Sequence, residues 1–372
     1  MTPRERLLTA WSFREPDRVP IELRISQRAQ EHPRAERLVE LIREHTGNFS
    51  YCSPYDWGFL GLQATYSERE LERRPGDFIR AELTYDTPAG PFTAITRTPD
   101  DDMIQSDCHW EKRHITSPDD LERLLDAPFE VRKPDVGVFQ RALAAAGAKD
   151  VVLVHVLHPL GWLVRHATME EVYVWFKTHR ELMHRFLETL NDHVARVVEV
   201  LAQAGIGPHF HVCAHEMLIP PWAGMAFFEE FVFPYDKHVN DVIHRHGGKL
   251  QAHCHGNAMN YLERFSEMGI DAIDPLEGPP MGDVDLAAAK RLVGDRMLLS
   301  GNIPSPHFVT MTQDEVRQSV RDAIEAAARG GGFSLRTTGA DGATRNYEQL
   351  VKFIENFEAY MLAGLEYGDY PI

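Results

Sequence analysis

The sequence is poor in sulfur cross-linking capacity: 372 residues contain four cysteines, Cys52, Cys108, Cys213 and Cys254, far apart and without a CxxC pair. That spacing excludes a disulfide-stapled scaffold and fits free thiols in a reducing compartment. No stretch approaches the roughly 18 consecutive apolar residues of a membrane-spanning helix. The opening MTPRERLLTAWSFREPDRVP has no apolar run between a positive segment and a small-residue cleavage site, so no secretory signal is visible. Positive charge is also short, with 39 Lys and Arg against 56 Asp and Glu and a formal net charge of −17. A phosphate-backbone binder needs a basic surface. These absences lead us to expect a soluble, cytoplasmic protein with neither nucleic acid nor membrane as partner.

What remains is ordinary globular composition, 43% hydrophobic and 26% charged, enough for a large core and incompatible with disorder. Histidine is the exception: there are nineteen, several of them gathered at 209–215 and 253–255.

Helix starts are readable from capping chemistry, in which a Ser or Thr oxygen accepts an orphan backbone N–H and an acid three residues on reaches back. Thr2-Pro3-Arg4-Glu5, Ser117-Pro118-Asp119-Asp120, Thr168-Met169-Glu170-Glu171 and Thr312-Gln313-Asp314-Glu315 fit. The third opens a stripe from Val172 to Leu201 with apolar residues three to four apart, one long helix or two. Short β-branched or apolar runs at 151–156, 209–213, 249–253, 272–274, 297–300 and 333–335 alternate with helices. Such alternation argues a parallel sheet with right-handed crossovers. The expected fold is α/β, a (β/α)8 TIM barrel forming one domain over 1–372, with an N-terminal helical and β-hairpin extension over about 1–130. The hairpin is placed at Phe78–Arg97 around Thr87-Pro88-Ala89-Gly90, and Asp100-Asp101-Asp102 reads as a solvated turn.

In a parallel barrel the chemistry sits at the C-terminal strand ends. One run ends His253-Cys254-His255-Gly256. Alternation puts His253 and His255 on one side and Cys254 on the other, and two imidazoles so spaced can share a divalent metal. A plain hydrogen-bonded pair of loop histidines is the competing reading. The preceding run ends His209-Phe210-His211-Val212-Cys213-Ala214-His215-Glu216. Glu216 there can complete a two-His, one-carboxylate set, or be a solvated loop acid beside packing histidines. The next run, Asp274-Pro275-Leu276-Glu277, brings two carboxylates to the same rim, for metal binding, ligand orientation or proton transfer. Asn302 and Arg336 follow the last two runs, and a guanidinium there can clamp an anionic group.

Taken together, the opening Thr2–Arg6 with Glu15–Pro20, then Phe228–Tyr235, His253–Gly256, Asp274–Asp285 and Gly294–Ile303 resemble the uroporphyrinogen decarboxylase superfamily in order and along nearly the whole chain. The resemblance implies a (β/α)8 barrel. The decarboxylases carry an Arg-Gln-Ala-Gly-Arg motif near the N-terminus, where this chain reads Arg24-Ile25-Ser26-Gln27-Arg28-Ala29-Gln30. The zinc-dependent methyltransferase branch, which moves methyl groups between a corrinoid and a thiol, uses His-x-Cys-Gly and a later Cys. Here His255 replaces that Cys, and no Cys follows Cys254.

The resemblance implies a metal-dependent methyltransferase or demethylase that moves a methyl group between a small-molecule substrate and a corrinoid or thiol acceptor. The metal, zinc by expectation, would be held by His253, His255 and Glu216. Glu277, Asp274 and Arg336 are the expected catalytic groups, and His215, Cys254 and Asn302 the expected substrate contacts. The chain has no corrinoid-binding DxHxxG segment, so a corrinoid would arrive on a separate carrier protein. The alternative is a cofactor-free decarboxylase or lyase for a carboxylate-rich substrate, using Arg24, Arg28 and Arg336. A homodimer is expected by family analogy.

Overall fold

The computed structural model describes residues 1–100, 108–339 and 346–372. Asp101 and Asp102 of the acidic triplet lie outside the described residues. Eleven strands are formed among them: β1 Phe49–Cys52, β2 Thr65–Arg74, β3 Phe78–Thr87, β4 Gly90–Pro99, β5 His109–Lys112, β6 Val151–His155, β7 His209–Val212, β8 Lys249–Cys254, β9 Ala272–Pro275, β10 Leu298–Ile303 and β11 Phe333–Thr337. All four expected caps form: Thr2, Ser117, Thr168 and Thr312 each accept a backbone N–H, and Thr2–Glu5 and Thr312–Glu315 close reciprocal boxes. The stripe at 172–201 is two helices, Met169–Thr178 and Arg180–Gln203.

The chain divides into two compact units. The first comprises Met1–Pro54, Asp135–Val156 and Ala204–Ile372. Its sheet is parallel and seven-stranded, in the order β1-β6-β7-β8-β9-β10-β11. Ile21 joins the two edges, bridging Leu335 of β11 on one side and Thr46, just ahead of β1, on the other. Glu22 N–H donates to Leu335 O (2.9 Å), Leu335 N–H to Pro20 O (2.9 Å) and Gly47 N–H to Ile21 O (3.1 Å). The short segment at Ile21 is thus an eighth stave, and the sheet closes as a parallel α/β barrel. Two of its staves precede residue 55, upstream of where strand–helix alternation first shows in the sequence. The first, carrying Pro20, is too short to display a period.

The N-terminal end of this barrel is plugged. Leu7, Ala10 and Trp11 pack with Phe49, Val151, Leu153, Ala272 and Leu298, near the starts of four strands. The Trp11 indole N–H donates to Asp271 O (2.9 Å) and its ring stacks on His209 at 5.0 Å. The barrel can therefore open only at its C-terminal end. The other face of the seam is held by the helix Tyr347–Tyr367, whose buried Tyr360 hydroxyl lies 2.9 Å from both Glu22 O and Leu335 O.

The second unit, Tyr55–Pro134 and Leu157–Gln203, carries an antiparallel sheet in the order β2-β3-β4-β5, with β3 and β4 forming the expected hairpin. Its core includes Phe59, Phe92, Tyr85 and two histidines, His114 and His166, whose Nδ1 atoms lie 3.2 Å apart. Burial pushes their pKa values down to about 4 and about 3, so they pack as neutral rings. No described helix is long and apolar enough to cross a membrane.

The seam yields a test. Tyr360→Phe removes the hydroxyl that ties the C-terminal helix to both seam strands and should cost about 1 kcal/mol. The expected readout is a melting temperature lowered by a few degrees with an unchanged far-ultraviolet circular dichroism spectrum; an unchanged melting temperature would show that the seam does not depend on it.

Candidate active site

Parallel register delivers the polar side chains of neighbouring strands to the same level. His253 on β8 pairs with Asp274 on β9, and Asn302 on β10 with Arg336 on β11. Arg336 Nη1 lies 2.9 Å from Asp274 Oδ2 and 3.5 Å from Glu22 Oε2. The Tyr51 hydroxyl also hydrogen-bonds the guanidinium. Glu22 Oε1 accepts from the hydroxyls of Ser300 (2.6 Å) and Ser334 (2.7 Å). Asp274 Oδ1 accepts from the Gln251 amide, and Gln251 Oε1 lies 2.6 Å from His211 Nδ1. The network therefore runs without a break from the eighth stave to β7.

Its charges are set by competition between burial and pairing. Burial pushes the Glu22 carboxyl up, opposed by Arg336 and the two hydroxyls. Burial pushes Asp274 the same way, yet Arg336 and His253 overcome it and hold the group below the usual carboxylate range. Burial disfavours the Arg336 cation, but Asp274 and Glu22 push its pKa above that of an ordinary arginine. His211, desolvated and beside His155, is pushed down to about 3 and is a neutral ring.

The two rim histidines meet as alternation requires. His253 Nδ1 lies 2.9 Å from Asp274 Oδ2, and His255 Nδ1 lies 3.0 Å from Glu277 Oε1. Their rings stand edge to face at 4.6 Å, with the Nε2 atoms 2.9 Å apart. A carboxylate on each Nδ1 keeps a proton there, which leaves each Nε2 presenting its lone pair to the other. That contact is attractive only with a proton or a metal cation between the nitrogens. Glu277 hydrogen bonding raises the His255 pKa, against burial. On Glu277 itself burial acts upward, but the His255 and Gly256 hydrogen bonds hold the carboxyl low.

Local backbone geometry aims Glu277. Leu276 is fully buried in the left-handed region at φ 58, a sterically costly conformation for a residue with a side chain. The turn carries Glu277 Oε2 to within 2.9 Å of the Gly256 N–H. Gly282 must lack a Cβ, because one there would collide with the carbonyls of Glu277 and Gly256.

A cavity of about 320 Å³ opens on this network, lined among others by Glu22, Arg24, Tyr51, His253, His255 and Arg336. Several expectations are altered. Arg336 is not a free anion clamp, because two buried carboxylates engage it. Cys254 is 1% exposed, and burial pushes its thiol well up. His215 turns away after Ala214, at φ 86, and sits 3.3 Å from Asp236 with its ring edge-on to Phe265. His209 belongs to the plugged end. Glu216 lies near enough for its charge to raise His255 and Cys254, and its Oε2 is buried without a hydrogen-bond partner. It does not, however, form one close set of ligand atoms with His253 and His255. Glu22, Tyr51, Gln251, Ser300 and Ser334 were not expected. The available signal was a single polar residue between apolar ones, as in Val19–Leu23 and Leu250–Ala252.

Comparison with known proteins places these residues in context. The model of the family described as uroporphyrinogen decarboxylase (URO-D) matches residues 112–337. A uroporphyrinogen decarboxylase from Psychromonas ingrahamii is 27% identical over 158 residues, a match spanning 41% of this chain and 41% of that protein. A solved methyltransferase from Methanosarcina mazei aligns over 98% of this chain and 99% of its own with a TM-score of 0.57 and 14% identity, a likeness of fold.

The ion cluster makes a prediction. Arg336→Met leaves Asp274 and Glu22 without their cation and should destabilise the protein by about 3 kcal/mol in denaturant unfolding at neutral pH. Both carboxylates in the variant would have pKa values raised above their unfolded ones. The deficit should therefore shrink as pH falls and they fold in neutral form. A deficit independent of pH would show that lost packing, not charge, is responsible.

Proposed function

The chain belongs to the uroporphyrinogen decarboxylase family, and within it we propose a metal-dependent methyltransferase or demethylase that moves a methyl group between a small substrate and a corrinoid or thiol acceptor. The observation that carries this reading is the pair of Nε2 atoms 2.9 Å apart, each on an imidazole whose Nδ1 is held by a carboxylate. A carboxylate behind each ligand imidazole is the usual support of a metal-bound histidine. Zinc–nitrogen bonds of about 2.0–2.1 Å fit two nitrogens brought this close with little movement. The partnerless buried Glu216 oxygen supplies a third, anionic donor once its side chain shifts toward the pair. The donor set of two imidazoles and a carboxylate suits zinc.

Bound there, the ion would act as a Lewis acid on the methyl donor or acceptor. The protein's own groups do the rest. Asp274 and Glu277 fix the ring orientations by accepting the Nδ1 protons of His253 and His255. Tyr51 lines the cavity beside Arg336, and Arg336 keeps Asp274 ionised. A corrinoid would come on a carrier protein docking over the mouth.

The decarboxylase reading asks for uncommitted cations to hold a polycarboxylate. Arg336 is engaged by Asp274 and Glu22, and Arg24 donates to Phe49 O (2.9 Å) and pairs with Asp150 (3.4 Å). Among the described cavity-lining residues these are the two arginines.

Protein purified without tag or chelator should contain zinc, and the His253→Ala, His255→Ala double variant should hold one equivalent less by elemental analysis. Glu277→Gln should weaken zinc about 10–100-fold in chelator competition, the usual effect of losing a ligand-orienting carboxylate. Equal metal content in wild type and double variant, before and after reconstitution, would remove the metal-dependent reading. A zinc-loaded protein that transfers no methyl group from methylated corrinoid or thiol donors would remove the methyltransferase assignment.

A further inference from the structure

His155 ends β6, His211 lies opposite it in register on β7, and Cys213 follows two residues later. One ligand atom from each of the three lies within 4.8 Å of the other two. None of the three belongs to the His253–His255 pair.

The hydrogen-bond network fixes how His211 faces this cluster. Asp274 can only accept, so the Gln251 group turned toward it is the amide nitrogen. The other end of that amide, Oε1, then faces His211 Nδ1 at 2.6 Å and must receive a proton from it. His211 therefore carries its hydrogen on Nδ1 and keeps Nε2 as a bare lone pair. A neutral imidazole with one nitrogen donating to an oxygen and the other bare is the prepared form of a metal ligand.

We infer that His155, His211 and Cys213 form a second metal site, for zinc or another d-block cation of borderline softness. Two imidazole nitrogens and one thiolate suit such ions and suit magnesium or calcium poorly. Ligand atoms around a tetrahedral zinc are about 3.3–3.8 Å apart, given bonds of about 2.0–2.3 Å, so the cluster closes by small side-chain movements. His155 and Cys213 are only partly buried, which leaves a way in for the ion and an open fourth position for water or a thiol ligand. Binding forms the metal–sulfur bond and releases the Cys213 thiol proton to solvent.

Asp274 ties the two sites together. One of its oxygens orients His253, and the other, through Gln251, orients His211. Gln251 is a positioning residue for the second site and touches neither metal.

Cobalt(II) added to the metal-free full chain gives the test, read by the near-ultraviolet thiolate-to-cobalt charge-transfer band and by equivalents bound. The wild type should show the band and bind two equivalents. Cys213→Ser should lose the band and keep the equivalent that depends on His253 and His255. The His253→Ala, His255→Ala double variant should keep the band with one equivalent. Gln251→Leu, which leaves every ligand in place, should weaken the band-forming site about 10–100-fold. A wild type without the band, or a band that survives Cys213→Ser and disappears in Cys254→Ser, would overturn the assignment. Should Cys213→Ser not fold, His155→Gln should weaken cobalt at the band-forming site by at least tenfold, and an unchanged titration would overturn the assignment equally. Loss of the second site alone leaves the equivalent at His253 and His255 in place, so the two readings fail separately.

Discussion

A guanidinium held between two carboxylates inside a barrel constrains everything above it. Arg336 comes from β11, Asp274 from β9 and Glu22 from the stave that closes the ring, so the cluster forms only when the sheet has closed. Desolvating three charges is costly, and the attraction between them offsets that cost only where the remaining polar atoms are satisfied. Here they are: Ser300 and Ser334 serve Glu22, while Gln251 and His253 serve Asp274. The hydroxyls and amide are as necessary as the charges, because a half-satisfied network would destabilise the interior more than an apolar one. Closure, charge and the orientation of His253 are consequently one structural event.

The charge balance at the mouth states what the site attracts. Glu22, Asp274, Glu216 and Glu277 face two arginines, both engaged. A net charge of −17 over the chain adds to the same sign at longer range. Such a field disfavours a polyanionic substrate and favours a cation, in keeping with the metal proposed between the opposed histidine nitrogens. A proton between them satisfies the same geometry at lower charge; the proposed metal rests in addition on the field and the donor set.

Much of the barrel was legible because its strands from residue 151 onward are long enough to show their character and are separated by well-signalled helices. The observed β6–β11 match the expected runs to within a few residues. The staves at Ile21 and Phe49–Cys52 were not legible, since a few residues carry no period and the first contains a proline. The placement of His253 and His255 on one side followed from alternation, and that of Asp274 and Glu277 at the same rim from the strand's ending at Pro275. His215 did not, because Ala214 in a left-handed conformation breaks the alternation that the reading assumed. Histidine excess was an ambiguous signal: His114, His166 and His209 turn out to be neutral packing rings, and no local pattern separates them from His253. Glu22 and Gln251 act only through partners far away in sequence, which a single chain read locally does not reveal.

A parallel barrel fills its interior in layers contributed by successive inward positions of the strands. In this barrel the layers differ in kind. The lowest is apolar and capped by Trp11; above it His211 hydrogen-bonds Gln251 and, separately, Ser300 and Ser334 hydrogen-bond Glu22. The next holds His253, Asp274 and Arg336. Each polar layer gives up hydrophobic stabilisation that the same volume of Leu or Ile would provide. The apolar plug and the buried faces of the outer helices make that substitution tolerable, leaving the upper layers free to be specified by hydrogen bonding. Because the side chains in these layers stand on rigid strands in fixed register, one carboxylate can orient imidazoles on two different strands. A loop-built site would have to order its own backbone to achieve as much.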